Sequence, residues 1–206
     1  MHCFRVLWDY ILWRVDSYTW QDAIVIRNER EIKMTKIKSD YIAFNMNWIS
    51  LIKGLFTAHT FYAVMLYRIG NFLYRHNVKF LPEIIKAIQL RVFACEISPY
   101  AEIGKSFRIF HSAGIVIGHN CEIGDNCVIL QNVTLGQNGK EKNERTMPQI
   151  GNNVSIYAGA CLLGPIKIGN NVDIGANAVV TKDFGSDIVI AGVPAKILRT
   201  KSEGQQ

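Results

Sequence analysis

The sequence predicts a mainly β protein, a parallel β-helix, with an α-helical region in front of it. Three observations predict this. Aliphatic residues recur every six positions through the second half of the 206-residue chain, glycine and asparagine fall regularly beside them, and the first half has helical spacing instead.

The six-residue frame begins at Ile97, Ile103 and Ile109, slips by two residues, and resumes at Ile117, Ile123, Ile129 and Leu135. After an interruption it returns at Ile150, Ile156, Leu162, Ile168, Ile174 and Val180. Six fits neither the 3.6-residue period of an α-helix nor the alternation of a simple strand. It suits a solenoid in which each unit gives a short strand and a turn, and stacking of coils buries what one coil cannot. Glycine follows the aliphatic residue in pairs such as Ile103-Gly104, Ile123-Gly124, Ile150-Gly151 and Ile168-Gly169. Gly118-His119-Asn120, Gly124-Asp125-Asn126, Gly151-Asn152-Asn153 and Gly169-Asn170-Asn171 supply corner conformations that β-branched residues resist.

The first half reads as helical. Leu51, Leu55, Phe61, Leu66, Ile69, Phe72 and Leu73 give helical spacing over Asn47–Asn77, and a second helix is expected over Phe80–Phe93, with Pro82 near its start. Residues 1–33, rich in Trp and charge, are assigned to a helix as well. The expected division is a helical region over 1–92 and a β-helix domain over 93–200. The latter carries a loop at 137–149 and a closing C-terminal segment.

Charge is unevenly spread. Residues 1–95 carry 13 Lys/Arg against 7 Asp/Glu, and residues 96–206 carry 10 against 10, so the net +6 lies wholly in the first half. No dense basic stripe or known module is present, which argues against nucleic acid as a partner. Diffuse basic and aromatic character fits ordinary solvated helix faces, or peripheral contact with an anionic membrane. The longest uncharged apolar run there, Gly54–Tyr67, has 14 residues, fewer than the ~20 that span a bilayer. Asp9, Arg14 and Asp16 interrupt the N-terminus, so no cleavable signal is expected.

The five cysteines, Cys3, Cys95, Cys121, Cys127 and Cys161, include no CxxC pair. They read as reduced, mostly buried thiols of a cytoplasmic protein, one that works in the cytoplasm or at the inner face of the membrane. Their spacing matches no zinc pattern, and no metal is expected.

The run LYRIGNFLYRH, the stretch CEISPYAEIGKSFRIFHSAGIVIG, the stretch ILQNVTLGQNGK and the closing AGVPAKIL resemble the serine acetyltransferase superfamily of hexapeptide-repeat acyltransferases. The similarity covers about Leu66 to Leu198 and lies closest to the exopolysaccharide, colanic-acid and capsule O-acetyltransferase branch. It implies a left-handed β-helix, an exception to the usual right-handed crossover. It also implies homotrimers with active sites between neighbouring subunits, and acetyl-CoA as co-substrate.

His111, in IFHSAGIVIG, matches the catalytic histidine of these enzymes. A hydroxyl is a poor nucleophile at neutral pH, and its attack on a thioester needs a base titrating near that pH. His111 also falls where the six-residue frame slips. Glu96 precedes it by fifteen residues, the spacing at which serine acetyltransferases place the acid that pairs with their histidine. Such a carboxylate fixes the imidazole tautomer and stabilises the imidazolium. His119 reads as a structural corner residue. Ala158 and Ala176 match positions whose backbone meets the pantetheine arm, and Lys196 and Arg199 lie where they would meet phosphates. The loop at 137–149 is of the kind that covers a neighbouring subunit's site.

The chain departs from the serine enzymes at two places. Phe110 stands where they have an aspartate, and Glu144-Arg145-Thr146-Met147-Pro148 where they have an Arg-His pair. The expectation drawn is that Phe110 and Arg145 meet a sugar. The acceptor is then a carbohydrate hydroxyl of a surface polysaccharide or its precursor, with serine O-acetylation of cysteine biosynthesis as the alternative. A carbonic-anhydrase-like β-helix needs three zinc histidines, whereas only His111 and His119 lie in the repeats. A non-catalytic scaffold has no need for both His111 and the loop.

Overall fold

The computed structural model describes residues 35–44 and 59–201. Lys36–Gln206 forms one compact unit, distinct from Met1–Thr35. The helix expected over 1–33 lies outside the described residues. The helix expected over Asn47–Asn77 is described from His59 onward.

Among the described residues three helices precede the strands: α1 (residues 35–43), α2 (His59–Arg75) and α3 (Leu81–Phe93). Pro82 sits in the first turn of α3, where its missing N–H costs nothing. The helix ends on Ala94, which turns into the left-handed region at φ 51° and donates its N–H to Leu90 O.

From Glu96 the chain winds through short strands that form three parallel sheets. The first face stacks β1 (Glu96–Ile97), β4 (Val116–Ile117), β7 (Thr134–Gly136), β10 (Cys161–Leu163) and β13 (Val179–Val180). The second stacks β2 (Glu102–Ile103), β5 (Glu122–Ile123), β8 (Gln149–Ile150) and β11 (Lys167–Ile168). The third stacks β3 (Arg108–Ile109), β6 (Val128–Ile129), β9 (Ser155–Ile156), β12 (Val172–Ile174) and β14 (Ile188–Ala191), closed by antiparallel β15 (Lys196–Thr200). A bridge from Ile168 to Phe184 completes the second face of the fifth coil. The parallel β-solenoid with a helical region before it is therefore as the period of six predicts. Every repeat aliphatic from Ile97 to Val180 is buried.

The Ile-Gly pairs of the second face have a specific cause. At the next corner, Lys105 N donates to Asp125 Oδ1, Asp125 N to Asn152 Oδ1, Asn152 N to Asn170 Oδ1 and Asn170 N to Ser186 Oγ. Each acceptor oxygen lies over the glycine one coil below. A Cβ on Gly104 would stand 2.3 Å from Asp125 Oδ1, and one on Gly124 2.4 Å from Asn152 Oδ1. The asparagines Asn120, Asn126, Asn153 and Asn171 turn these and the neighbouring corners at φ between 55° and 62°, in the left-handed region that Asn tolerates.

A solenoid's first coil has no coil beneath it, so its backbone groups need other partners. Side chains of the helices supply them. Gln89 Oε1 accepts from Ile97 N, Tyr67 Oη donates to Ala101 O and accepts from Ile103 N, and Asn71 Nδ2 donates to Pro99 O. Arg68 donates to Ile103 O and Gly104 O, and Asp40 Oδ1 accepts from Phe107 N. The helices thus act as the cap that repeat proteins require at an open end.

Cys95, Cys121 and Cys127 are buried free thiols, and Cys161 is half-buried; Cys3 lies outside the described residues. Burial pushes the Cys95 and Cys121 thiols up to about 12, which keeps them protonated and unreactive.

Candidate active site

The slip in the frame is a bulge at one edge of the prism, between the third and first faces. Six residues (110–115) join β3 to β4, whereas the corners above use four: 130–133, 157–160 and 175–178. The two extra residues push Phe110 and His111 outward, and both are exposed. Ser112 is buried beneath them, and its carbonyl accepts from Ile115 N at 3.2 Å. Gly114 re-enters the coil at φ +71°, and a Cβ there would stand 2.2 Å from Asn132 Oδ1. Among the described residues no hydrogen bond or ion pair holds the His111 ring.

Backbone hydrogen bonds thread the corners of this edge into one column. Gly114 N donates to Ala94 O, Asn132 N to Ala113 O, Gly159 N to Gln131 O and Asn177 N to Ala158 O. At the top, Val179 N donates to Gly192 O, and Ala195 N donates to Val179 O. Positions far apart in sequence (His111, Ala158, Ala176 and the Ala191–Lys196 turn) therefore lie along a single edge. Successive coils are about 4.8 Å apart along it. Lys196 and Arg199 lie on exposed β15, paired with Ala191 and Val189.

Glu96 opens β1 at the foot of the same edge. It lies two residues past Ala94, whose carbonyl accepts from Gly114 N. Its carboxylate is 4.0 Å from Lys86 Nζ, and no hydrogen bond joins it to His111 among the described residues. Lys86 also pairs with Glu83 at 2.8 Å, and with the Tyr100 hydroxyl it holds the Glu83 carboxyl below its ordinary range. His119 lies at another corner, its ring 4.3 Å from that of Tyr100.

Arg145 is elsewhere. The loop at 137–149 leaves the corner between the first and second faces, and Arg145 Nη1 donates to Gln149 Oε1 at 2.6 Å. Lys142 Nζ pairs with Asp183 at 2.7 Å, which latches the loop to the fifth coil of its own chain. Within one chain, His111 and Arg145 thus sit on different corners. Sequence reasoning missed Gln131, which stands in the column between the His111 bulge and Ala158. Its sequence signal was a long polar side chain at a corner position that Ala158 and Ala176 occupy in the coils above.

No helix among the described residues is long and apolar enough to cross a membrane. Nor does any group of three or more His, Cys, Asp or Glu gather there for a metal ion.

Comparison with known proteins decides the family. Residues 147–182 match the bacterial transferase hexapeptide model (six repeats). The serine acetyltransferase of Staphylococcus epidermidis (strain RP62A) is 41% identical over 157 residues, which cover 76% of this chain and 72% of the relative. The chain belongs to the serine acetyltransferase family of hexapeptide-repeat transferases. Soybean serine acetyltransferase in complex with serine superposes with a TM-score of 0.73 at 33% identity, over 82% of this chain and 70% of that one. A serine acetyltransferase in complex with CoA gives 0.69 at 32%, over 82% and 68%. The chain spans 56% of the length of the Synechococcus elongatus serine acetyltransferase that it matches at 38% identity over 138 residues, 67% of this chain.

These relatives overturn the assignment to a polysaccharide O-acetyltransferase branch, and with it the carbohydrate acceptor; association with a membrane gains no support. The misreading has a physical source. It takes the apolar side chains of Phe110 and Met147 for the absence of groups that would grip an amino acid. Yet the Arg108 guanidinium lies over the Phe110 ring at 5.8 Å, and Met147 packs against the core, against the face of Gly118. Met147 serves packing within its own chain, and the exposed Phe110 ring lies under a cation, so neither apolar side chain by itself specifies a sugar.

Proposed function

We propose that this chain is a serine O-acetyltransferase, moving the acetyl group of acetyl-CoA to the hydroxyl of L-serine. The observation that carries this reading is the placement of His111. It is exposed on the widened corner of the column that also holds Ala158 and Ala176, in a chain 41% identical to a serine acetyltransferase. In this mechanism His111 takes the proton from the serine hydroxyl as its oxygen attacks the thioester carbonyl. The tetrahedral intermediate collapses, the carbon–sulfur bond breaks, and the departing thiolate of CoA receives that proton from the imidazolium. Glu96, at the foot of the same edge, exchanges Lys86 for His111 and stabilises the imidazolium. The donor lies along the column, its arm against Ala158 and Ala176 and its phosphates toward Lys196 and Arg199.

The working form is a homotrimer, in line with the trimers typical of hexapeptide-repeat enzymes. Arg145 and His111 occupy different corners of one prism, so packing prisms side by side brings the loop of one subunit to the bulge of the next. Arg145 then meets the serine carboxylate as a bidentate partner. The test is thiol release from acetyl-CoA on addition of L-serine, with O-acetylserine identified by mass spectrometry. Thioester turnover that ignores L-serine would refute the reading.

A further inference from the structure

Gln131 is the long side chain of the column, one coil above the His111 bulge and one below Ala158. Its backbone carbonyl is used: Gly159 N donates to it at 3.0 Å. Its side chain is not. Oε1 is buried and accepts no hydrogen bond, the one buried side-chain polar atom among the described residues left without a partner. A carbonyl buried in this way costs folding free energy unless a donor reaches it. The rest of the fold meets this need even at the open first coil, where Gln89, Tyr67, Asn71 and Arg68 are all satisfied. An unmet acceptor at the edge that carries His111 therefore marks a place where the missing donor belongs to a ligand.

We propose that Gln131 is a binding residue for the acyl donor. When the donor binds, the carboxamide turns so that its oxygen, buried in the free protein, accepts a hydrogen bond from an amide N–H of the arm of acetyl-CoA, which runs along the column toward His111. This rests on the reading of acetyl-CoA as donor and adds to it a residue that fixes how far the thioester travels down the edge. The thioester carbonyl has no N–H to give, so the partner is the arm rather than the reacting group. A role in donor binding also explains why a residue that weakens the free protein stands at this place.

The test uses Gln131→Met, which keeps the length of the side chain and removes the acceptor. The dissociation constant of CoA is measured by calorimetry, and KM for acetyl-CoA and for L-serine by thiol release. Both donor constants are expected to rise roughly tenfold, the size of one neutral hydrogen bond. KM for L-serine should be unchanged, and Tm unchanged or higher, because an unmet polar atom has gone. Gln131→Glu keeps an acceptor oxygen and should bind CoA within about threefold of the parent. Equal CoA affinity in the parent and Gln131→Met would overturn the inference, as would a rise confined to KM for L-serine, or a loss of oligomer. If Gln131→Met does not fold, Gln131→Ala takes its place in the same comparison. Failure of the parent itself to bind CoA would instead sink the donor reading, and this inference with it.

Discussion

The Arg68 guanidinium pairs with the Asp40 carboxylate at 2.9 Å, with the two side chains 3% and 0% exposed. The pair does more than neutralise itself. Arg68 also donates to Ile103 O at 2.7 Å, and Asp40 accepts from Phe107 N at 3.0 Å, so together they close the open edge of the first coil. Burial pushes the Asp40 carboxyl up, and Arg68 opposes this. Asp40→Ala leaves an unpaired buried cation, and its expected cost is about 3–5 kcal/mol in urea unfolding. Adding Arg68→Met should return part of that loss, because replacing both partners removes the stranded charge.

The bulge depends on Gly114 in the same way that a regular corner depends on Gly159. Both have positive φ, at +71° and +74°, and a Cβ on either would press on an asparagine Oδ1, at 2.2 and 2.1 Å. Gly114→Ala and Gly159→Ala should therefore each lower stability by roughly 1–3 kcal/mol. Their kinetics should part. Gly114→Ala displaces His111 and lowers kcat, whereas Gly159→Ala disturbs the wall beside Ala158 and raises KM for acetyl-CoA. Steady-state kinetics on the two folded variants check this.

His111→Ala is expected to reduce kcat by ~10²–10⁴-fold, the usual span for loss of a general base. Because the ring is exposed and holds nothing in place among the described residues, Tm should stay the same. Near-parental turnover in this variant would remove His111 from the mechanism.

The latch between Lys142 and Asp183 gives a pH-dependent expectation. Lys142 holds the Asp183 carboxyl below its ordinary range, with Lys167 N adding a second hydrogen bond. A lowered carboxylate pKa contributes above the ordinary range and is lost as pH falls through the lowered value. The carboxyl carbon of Asp183, followed by NMR, should titrate at a lower pH than a free aspartate. Lys142→Ala should move the midpoint up toward the ordinary value. Both side chains are about half exposed, so the change should leave global stability nearly untouched.

The solenoid was legible because its signal is repeated: burial of Ile97 through Val180 is one physical demand imposed thirteen times, and each instance checks the others. The bulge was legible for the same reason, as a break in a strict frame. The cap of the first coil was not. Tyr67, Arg68 and Asn71 meet the coil across long sequence separations and Gln89 across a short one, and nothing in helical spacing marks which polar residue turns inward. The acceptor was misjudged because single positions were made to speak for a ligand. The Arg108 guanidinium lies over the Phe110 ring, and Met147 faces Gly118, a contact that becomes readable only once the coils are stacked.

The reading of serine as acceptor leads to a last expectation, concerning Arg145. L-serine brings a carboxylate and an ammonium group that a site must pair, and at the bulge Phe110 provides neither charge. Arg145 is a cation of the 137–149 loop that makes no direct ion pair with Asp183; it is held by a neutral partner, Gln149, which in turn donates to Glu122 at 2.5 Å. Exchanging a neutral acceptor for a carboxylate strengthens its hydrogen bonds, so Arg145 can change partners when serine arrives. Arg145→Met should then raise KM for L-serine at least tenfold while KM for acetyl-CoA stays level, since the donor column lies at another corner. The proposed trimer adds a sharper test. If Arg145 of one subunit serves His111 of the next, mixed oligomers of His111→Ala and Arg145→Met chains, assayed at L-serine too low for Arg145→Met to turn over, contain some sites with both residues intact. Co-refolding the two variants should restore a fraction of the parental activity that neither shows alone. Loss of donor affinity in Arg145→Met, or no recovery on mixing, would place Arg145 outside the acceptor site.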